Sequence, residues 1–210
     1  MLRVEPLGAK HDRLAFTCGA SALDRFLRAI AYQAQRKGIC TAFVAVDAES
    51  PSKILGYYTL SSYLISGLCV PEPLRKRRNL PTHMLGATLL GRLAVDASAQ
   101  GNGLGAALLF DALRRACAVA SDVGSTCLVV DATNDRAERF YQRFGFVKVS
   151  ADSSRLLLPL DSAMPLVTES QTASRSARVL KKLDELDAIH GPPTEEEQKQ
   201  GEAEWKRISE

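Results

Sequence analysis

A glycine-rich turn in the middle of the chain has residue types and a spacing that suit phosphate binding. It reads Gln100-Gly101-Asn102-Gly103-Leu104-Gly105. Glycine adopts positive φ angles at little cost, so the backbone can approach a ligand closely. The apolar spacing after the turn predicts a helix, whose first N–H groups and positive dipole end favour an anion. The turn therefore predicts a phosphate or pyrophosphate site, although a tight turn that binds nothing has the same composition.

The same turn partly fits a dinucleotide-binding fingerprint. Gly101, Gly103 and Ala106 match G-x-G-x-x-A, and Asp131 ends the next predicted strand, where an acidic residue contacts ribose in that fold. Two features argue against this interpretation. Residues 96–100 separate the first glycine from its strand, and the turn comes after nearly half the chain, which leaves too little sequence for a second nucleotide-binding half. The dinucleotide interpretation is therefore the weaker one.

The elements around the turn predict an α/β (α+β) fold, a mixed and mostly antiparallel sheet with helices on both faces. Ser21 followed by Asp24 predicts a capping box at the start of a helix, and Pro51 is expected in a connection between strands. Residues 71–81 predict a basic, proline-bounded loop or short helix. The predicted strands are about 2–7, 41–46, 54–65, 89–95, 127–130, 146–149 and 156–160, and the predicted helices are 21–37, 103–121 and 134–144.

Composition limits the class of protein. Five cysteines without a C-x-x-C pair argue against a disulfide framework and a zinc site, so we expect no metal and a reducing, cytoplasmic location. The first thirteen residues lack the apolar run of a signal peptide. The most apolar stretch, residues 54–70, is interrupted by glycine, serine and tyrosine, which favours strands over a membrane span.

Charge and composition change near residue 162. The first 166 residues carry twenty Lys/Arg and fourteen Asp/Glu, whereas residues 167–210 carry seven and ten. We expect a domain over 1–162, a linker over 163–173 and an acidic, helical tail over 174–210. A basic domain suggests a polyanionic partner, and the tail is either a segment that covers the basic surface or a helical appendage.

Three segments of the domain resemble the Gcn5-related N-acetyltransferase (GNAT) family in order and spacing. They are Leu93-Ala94-Val95, then Gln100-x-x-Gly103-x-Gly105, then Ala137-x-x-Phe140-Tyr141-x-x-Phe144-Gly145-Phe146. The resemblance covers about residues 1–162 and implies acetyl-coenzyme A as the co-substrate. It implies pyrophosphate contacts from the backbone of 100–105, pairing of strand 93–95 with the pantetheine arm, and a polar contact from Asn134.

A further set of segments is similar to the toxin subfamily of these acetyltransferases, found in bacterial toxin–antitoxin pairs. These are residues 16–19, 23–27, 56–61 and 90–96. The resemblance implies acetylation of the primary amine of an aminoacyl-tRNA, which blocks translation. It also implies a cognate antitoxin and allows a homodimer. The alternatives left open are an acetyltransferase of small-molecule or protein amines and a non-catalytic coenzyme A-binding module.

Aminolysis of a thioester requires a neutral amine, support for the oxyanion and a proton for the thiolate. Tyr141 is the candidate general acid; the alternative is a core aromatic whose hydroxyl bonds a backbone carbonyl. Asp96 and Asp131 are weak candidates for the base, so no base is assigned. Basic residues in two segments and on one strand predict a tRNA-binding surface. They are Arg75, Lys76, Arg77, Arg78, Lys37 and Arg92.

Overall fold

A computed structural model of the chain describes residues 2–163. The expected tail over 174–210, with nearly all of the expected linker, lies outside these residues. The described residues form one seven-stranded sheet in the order β1-β2-β3-β4-β5-β7-β6. Its strands are β1 (Leu2–Pro6), β2 (Thr41–Asp47), β3 (Ser50–Ser66), β4 (Met84–Val95), β5 (Cys127–Asp131), β6 (Val147–Lys148) and β7 (Arg155–Pro159).

The sheet is mostly antiparallel, as the sequence predicts. Only β4 and β5 run parallel among the described strands, joined by the long helix that follows the glycine turn. β5 is apolar at four successive positions and buried on both faces, which suits a strand covered on each side. This parallel pair is where the candidate site lies.

Helices cover both faces of the sheet. α1 (Ser21–Arg25) continues through a π-helical segment (Phe26–Ile30) into α2 (Ala31–Arg36), and Gly38 ends this helix at a φ of 70°. α4 (Leu104–Val123) packs on the opposite face, where Leu108, Leu109 and Leu113 are fully buried. Two shorter α-helices are α3 (Glu72–Arg77) and α5 (Asp135–Gln142). None of the described helices is both long and apolar enough to cross a membrane.

Two local predictions are wrong. Pro51 lies inside β3, because the hairpin turns at residues 48 and 49. Ser21 does not cap α1; the N-cap is Ala20, which has no capping side chain. Asp24 instead accepts hydrogen bonds from the backbone N–H of Cys18 at 2.8 Å and the hydroxyl of Thr17 at 3.2 Å. The carboxylate therefore fastens the preceding loop to the helix.

The sheet opens between its two parallel strands. β4 pairs with β5 only over Thr88, Leu89 and Leu90, yet β4 continues to Val95. The pairing of β4 with β5 ends where a β-bulge at Gly91 interrupts the pairing of β4 with β3. Leu60 lies opposite Leu90 and Thr59 lies opposite Arg92, so Gly91 has no partner in β3. The last four residues of β4 thus keep β3 on one side and have no strand partner on the other within residues 2–163.

Candidate active site

The open edge of β4 presents backbone groups at alternate residues. The N–H of Asp96 donates to the carbonyl of Leu55 at 2.8 Å, toward β3. Because the C=O and N–H of a trans peptide point in opposite directions, the carbonyl of Val95 faces the open side. In an extended strand both backbone groups of one residue face the same side, so the N–H groups of Val95 and Leu93 also face it. Ala94 lies between them, so its backbone groups face β3.

The glycine turn lies directly after this edge. Gly101 and Gly103 have φ angles of 79° and 71°, the left-handed region in which glycine is favoured. Gly103 is the N-cap of α4 and provides no capping side chain, so the first N–H groups of a twenty-residue helix remain available. The turn therefore has the backbone geometry that an anion-binding site requires.

Gly105 marks the point where the elements of the site converge. A Cβ atom on Gly105 would lie 3.8 Å from Val95 Cγ2 and 3.8 Å from Phe140 Cε2. The end of β4, the first turn of α4 and helix α5 are therefore in direct contact. This convergence brings the helix that carries Tyr141 to the open edge of the sheet.

Tyr141 is buried among aromatic rings. Only 7% of its surface is exposed, and its ring centroid lies 5.2 Å from that of Phe140 and 5.4 Å from that of Phe146. Burial raises the pKa of Tyr141 to about 12. Its hydroxyl makes no hydrogen bond to any of residues 2–163, whereas the hydroxyl of buried Tyr57 donates to the carbonyl of Leu23 at 2.9 Å. The hydroxyl of Tyr141 is therefore free to bond a ligand.

Asn134 caps α5 as predicted. Its side-chain oxygen accepts from the N–H of Ala137 at 2.9 Å, while its amide nitrogen stays available at the exposed start of the helix. Asn134 follows β5 by three residues, on the far side of the opening from β4. It is therefore placed to donate to a ligand that lies between the two strands.

Neither carboxylate considered as a base is free. Asp96 accepts bonds from the N–H of Thr17 and from the N–H and hydroxyl of Ser98, and these bonds lower its pKa against the effect of burial. Asp131 forms a bidentate pair with Arg155 at 2.7 and 2.9 Å. Both residues are structural, and no group of three potential metal ligands occurs within residues 2–163.

The predicted basic surface is divided into two parts. Arg92 lies on the open part of β4, its guanidinium 3.6 Å from the ring centre of Phe26, and it acts electrostatically on the nearby Cys40. Lys37 is exposed at the C-cap of α2, four residues before Thr41, which pairs with Leu60, the β3 partner of Leu90 where the opening begins. We call Arg92 and Lys37 the site-proximal cations.

The other part lies on α3, which we call the α3 patch and define as Arg75, Lys76 and Arg77. Arg78 does not belong to it, because its side chain is only 16% exposed and its guanidinium pairs with Asp161 and donates to Ser162, whereas the pair of Lys76 with Glu72 is exposed. The α3 patch precedes the first residue of β4, whereas the opening lies at the last. Met84 and Arg92 are eight residues apart, which is roughly 26 Å along an extended strand, so the α3 patch and Arg92 lie toward opposite ends of β4.

One functional side chain was missed from the sequence. We predicted backbone contacts for Gln100, but its side-chain amide donates to the carbonyls of Val95 and Cys18, both at 3.0 Å. In the sequence, only the bond to Val95 had a signal, because Gln100 follows Val95 by five residues. The bond to Cys18 had none, because the two residues are 82 positions apart. The bulge at Gly91 had no signal in the sequence either.

A mixed sheet that opens between two parallel strands beside a glycine turn and a free tyrosine hydroxyl defines an acyl-coenzyme A-dependent N-acyltransferase. The family model described as an acetyltransferase (GNAT) domain matches residues 82–156 of this chain. The tRNA-acetylating toxin of Mycobacterium tuberculosis is 34% identical over 156 residues, which cover 74% of this chain and 90% of that protein. The chain belongs to the GNAT acetyltransferase family and is similar to this toxin over most of its described residues.

Solved structures of related toxins share the fold. AtaT complexed with acetyl-methionyl-tRNAfMet is 31% identical, with a TM-score of 0.73 and coverage of 79% of this chain and 99% of AtaT. A tyrosine-to-phenylalanine mutant of AtaT, bound to the C-terminus of the antitoxin AtaR and acetyl-CoA, is 30% identical with a TM-score of 0.68. Coverage in that comparison is 80% of this chain and 98% of AtaT.

Proposed function

We propose that this protein transfers the acetyl group of acetyl-coenzyme A to the primary amine of an aminoacyl-tRNA and acts as a toxin that blocks translation in the cytoplasm. The open edge of β4 beside the uncapped start of α4 is the observation that carries this proposal. Support for the substrate comes from the relatives, which include a tRNA-acetylating toxin and AtaT with acetyl-methionyl-tRNAfMet. An antitoxin partner is supported by AtaT bound to AtaR.

The residues present fit a coenzyme A thioester. The N–H groups of the turn, from Gln100 through Gly101, Asn102, Gly103 and Leu104 to Gly105, would hold the pyrophosphate. The N–H of Val95, next to the turn, would pair with an amide group of the pantetheine arm as a strand does. Ala94 contributes no backbone group to the site, because its N–H and C=O face β3, and its side chain is buried in the core cluster with Phe26 and Leu27. Asn134 would donate its amide nitrogen from the β5 side.

When bound, acetyl-coenzyme A supplies an acyl group activated as a thioester. The N–H of Leu93 also faces the opening and lies farther from the turn, where the thioester end of the arm would reach, so it is our candidate for stabilising negative charge on the carbonyl oxygen. The hydroxyl of Tyr141 would donate to the departing sulfur. Its geometry requires no rearrangement of a hydrogen bond, since the described residues leave that hydroxyl unpaired.

Proton balance defines the role of Tyr141 more closely. A phenol with a pKa of about 12 is a weaker acid than a thiol with a reference pKa of about 8.5. Transfer of the phenol proton to the thiolate is therefore uphill by roughly 5 kcal/mol if the phenol does not regain a proton. The attacking amine becomes cationic as the C–N bond forms and must lose a proton. Tyr141 would therefore pass its proton to sulfur as it takes up the proton that the amine loses, relayed by water, so the phenol ends the step protonated.

The carboxylates of Asp96 and Asp131 are both occupied by hydrogen bonds, so neither is available as a base, and the scheme requires none. An α-amino group has a pKa near 7.7–8.0, so much of it is already neutral at physiological pH. The neutral amine can attack without a dedicated base. Water at the open edge would then carry the amine proton to Tyr141.

The site-proximal cations would hold the acceptor end of the tRNA, and the α3 patch would contact its phosphates farther away. This binding is largely a reading of backbone and shape, so its affinity should fall steeply with salt. The homodimer and the masking role of the tail remain predictions.

The test is transfer of radiolabelled acetyl from acetyl-coenzyme A to a pool of charged bacterial tRNAs, with deacylated tRNA as the control. We expect label only on charged tRNA. Equal label on both would contradict the assignment of the amine as acceptor. Label on neither, with coenzyme A still bound, would move the substrate to small-molecule or protein amines.

A further inference from the structure

The hydroxyl of Thr59 has no hydrogen-bond partner although the residue is buried. Only 2% of the residue is exposed, and its oxygen makes no hydrogen bond to any of residues 2–163. Most buried hydroxyls have a partner, and that of the buried Thr88 lies 2.9 Å from the hydroxyl of Ser125. In the part of the chain that the structure describes, the fully enclosed side-chain atoms without a partner are Arg13 Nε and Arg78 Nε. The oxygen of Thr59 is not one of them, so it borders an open space.

The side chain of Thr59 lies on the face of the sheet that α1 and α2 cover, which we call the α1 face. Tyr57 packs with Phe26 on this face, whereas Tyr58 packs in the cluster on the α4 face. Because side chains alternate along a strand, Thr59 points to the same face as Tyr57. The guanidinium of Arg92 is stacked on Phe26, so this site-proximal cation shares the face with the unpartnered hydroxyl.

The hydroxyl of Thr59 reaches over β4 at the bulge. A Cβ atom on Gly91 would lie 3.2 Å from Thr59 Oγ1, so the oxygen leans across the strand toward the start of the opening. Gly91 has no side chain, and the side chain of Arg92 is held on Phe26, so neither residue covers the space between the oxygen and the opening. The oxygen is therefore accessible at the end of the opening that lies farthest from the glycine turn.

The acetyl group would lie at this end of the opening. A pyrophosphate at residues 100–105, with the pantetheine arm along the last residues of β4, places the thioester near Leu93 and toward Gly91. Tyr141, the candidate donor to the departing sulfur, packs in the cluster on the α4 face. The α1 face, which carries Arg92 and the hydroxyl of Thr59, therefore remains for the approach of the amine.

We propose that the hydroxyl oxygen of Thr59 accepts a hydrogen bond from the attacking amine and so directs the lone pair of the nitrogen at the thioester carbon. The proposal rests on the proposed function and names the side chain that contacts the acceptor amine. A primary amine has two N–H groups and one lone pair, so this bond leaves the lone pair free. The nitrogen becomes cationic as the C–N bond forms, and a charged donor bonds more strongly, so the contact is stronger in the transition state than in the ground state.

The rate of transfer is the first readout. Thr59→Val removes the oxygen and nearly keeps the shape of the side chain, whereas Thr59→Ser keeps the oxygen. We expect Thr59→Val to lower kcat/KM for aminoacyl-tRNA roughly 10–100-fold, the range for a hydrogen bond to a charged group, with Thr59→Ser within about threefold of wild type. The dissociation constant of coenzyme A should change less than about twofold. Equal kcat/KM for the wild type and Thr59→Val would overturn the proposal.

Thermal stability separates contact with the amine from a structural role. Thr59→Val breaks no hydrogen bond of the free protein, so its Tm should fall by less than about 2 °C. The matched control is Thr88→Val, which removes the hydroxyl beside Ser125. Its Tm should fall by about 2–6 °C while its kcat/KM stays within a few-fold of wild type. A loss of Tm in Thr59→Val as large as in Thr88→Val would mean that the hydroxyl is bonded within the protein, which contradicts the proposal.

A binding measurement distinguishes this proposal from the proposed function. The probes are aminoacyl-adenosines with an amide in place of the ester, for the standard amino acids, each paired with the same molecule lacking the α-amine. They are titrated by calorimetry into the protein with coenzyme A bound. We expect Thr59→Val to weaken binding of an amine probe about 3–10-fold and to leave that of its des-amino match unchanged.

The outcomes for the two proposals are separate. If the wild type transfers no acetyl to aminoacyl-tRNA but its preference for an amine probe disappears in Thr59→Val, then the proposed function fails and the contact with Thr59 stands. A wild type that prefers no amine probe over its des-amino match, or a preference that survives in Thr59→Val, would overturn the contact whatever the activity.

Discussion

Removing the hydroxyl of Tyr141 tests the proposed chemistry because the structure predicts a loss of rate without a loss of stability. In the free protein this hydroxyl has no hydrogen-bond partner within residues 2–163, so Tyr141→Phe breaks no bond of the fold. We expect the free energy of unfolding to change by less than about 1 kcal/mol. A positioned acid is worth about 10²–10⁴ in rate, which corresponds to roughly 3–5.5 kcal/mol of transition-state stabilisation.

A second tyrosine provides the matched control. Tyr58 is fully buried, and its hydroxyl donates to the carboxylate of Asp111. Tyr58→Phe removes a bond to a charged group, which should cost about 1.5–3 kcal/mol of stability. For a chain of this size that corresponds to a fall in Tm of roughly 3–12 °C. The acetyl-transfer rate of the folded Tyr58→Phe protein should stay within a few-fold of wild type.

The assay measures kcat for acetyl transfer, the dissociation constant of coenzyme A by calorimetry, and Tm for each variant. We expect Tyr141→Phe to lose kcat alone and Tyr58→Phe to lose Tm alone. If Tyr141→Phe loses several degrees of Tm and keeps its kcat, then the hydroxyl is structural and the reasoning about the site is refuted.

Four further outcomes follow from the same geometry. Gly103→Ala forces alanine to a φ of 71° at the N-cap of α4 and should weaken coenzyme A binding at least several-fold by calorimetry, whereas Gly124→Ala imposes a similar strain at the other end of the helix, with a φ of 67°, and should not. Replacing all three residues of the α3 patch by alanine should lower tRNA affinity and reduce the slope of log affinity against log salt by about 2–3 in filter-binding assays; an unchanged slope would remove the patch from the interface. Deleting residues 165–210, which carry ten acidic and seven basic groups, should raise tRNA affinity, and equal affinity would end the masking idea. Because the pKa of Tyr141 is raised to about 12 and its protonated form is the active one, kcat/KM should rise as the substrate amine deprotonates and then stay level to about pH 10; a fall between pH 8 and 10 would indicate another acid.

The local parts of the fold could be predicted from the sequence because local residues determine them. The run of apolar residues at 127–130 forms a strand buried on both faces, and Asn134 caps its helix through a bond to Ala137. The glycines at 101 and 103 adopt the positive φ angles that the turn requires. Each of these features depends on neighbours within a few positions.

The parts that could not be predicted depend on pairings between distant residues. Asp24 looked like a capping residue, yet its bonds hold a loop that is also tied to Asp96, and Thr17 and Asp96 are 79 residues apart. Arg78 looked like its basic neighbours, but Asp161 pairs with it 83 residues later. The bulge at Gly91 follows from the register between two strands, which the composition of neither strand specifies.

The measurement that tests the central claim most directly is the mass of the aminoacyl end after reaction. Charged tRNA would be incubated with the protein and acetyl-coenzyme A, then digested to aminoacyl-adenosine and analysed by mass spectrometry. The account predicts an added acetyl group on the aminoacyl amine, absent when acetyl-coenzyme A is omitted and strongly reduced with Tyr141→Phe. Aminoacyl-adenosine of unchanged mass, from protein shown to bind acetyl-coenzyme A, would contradict it.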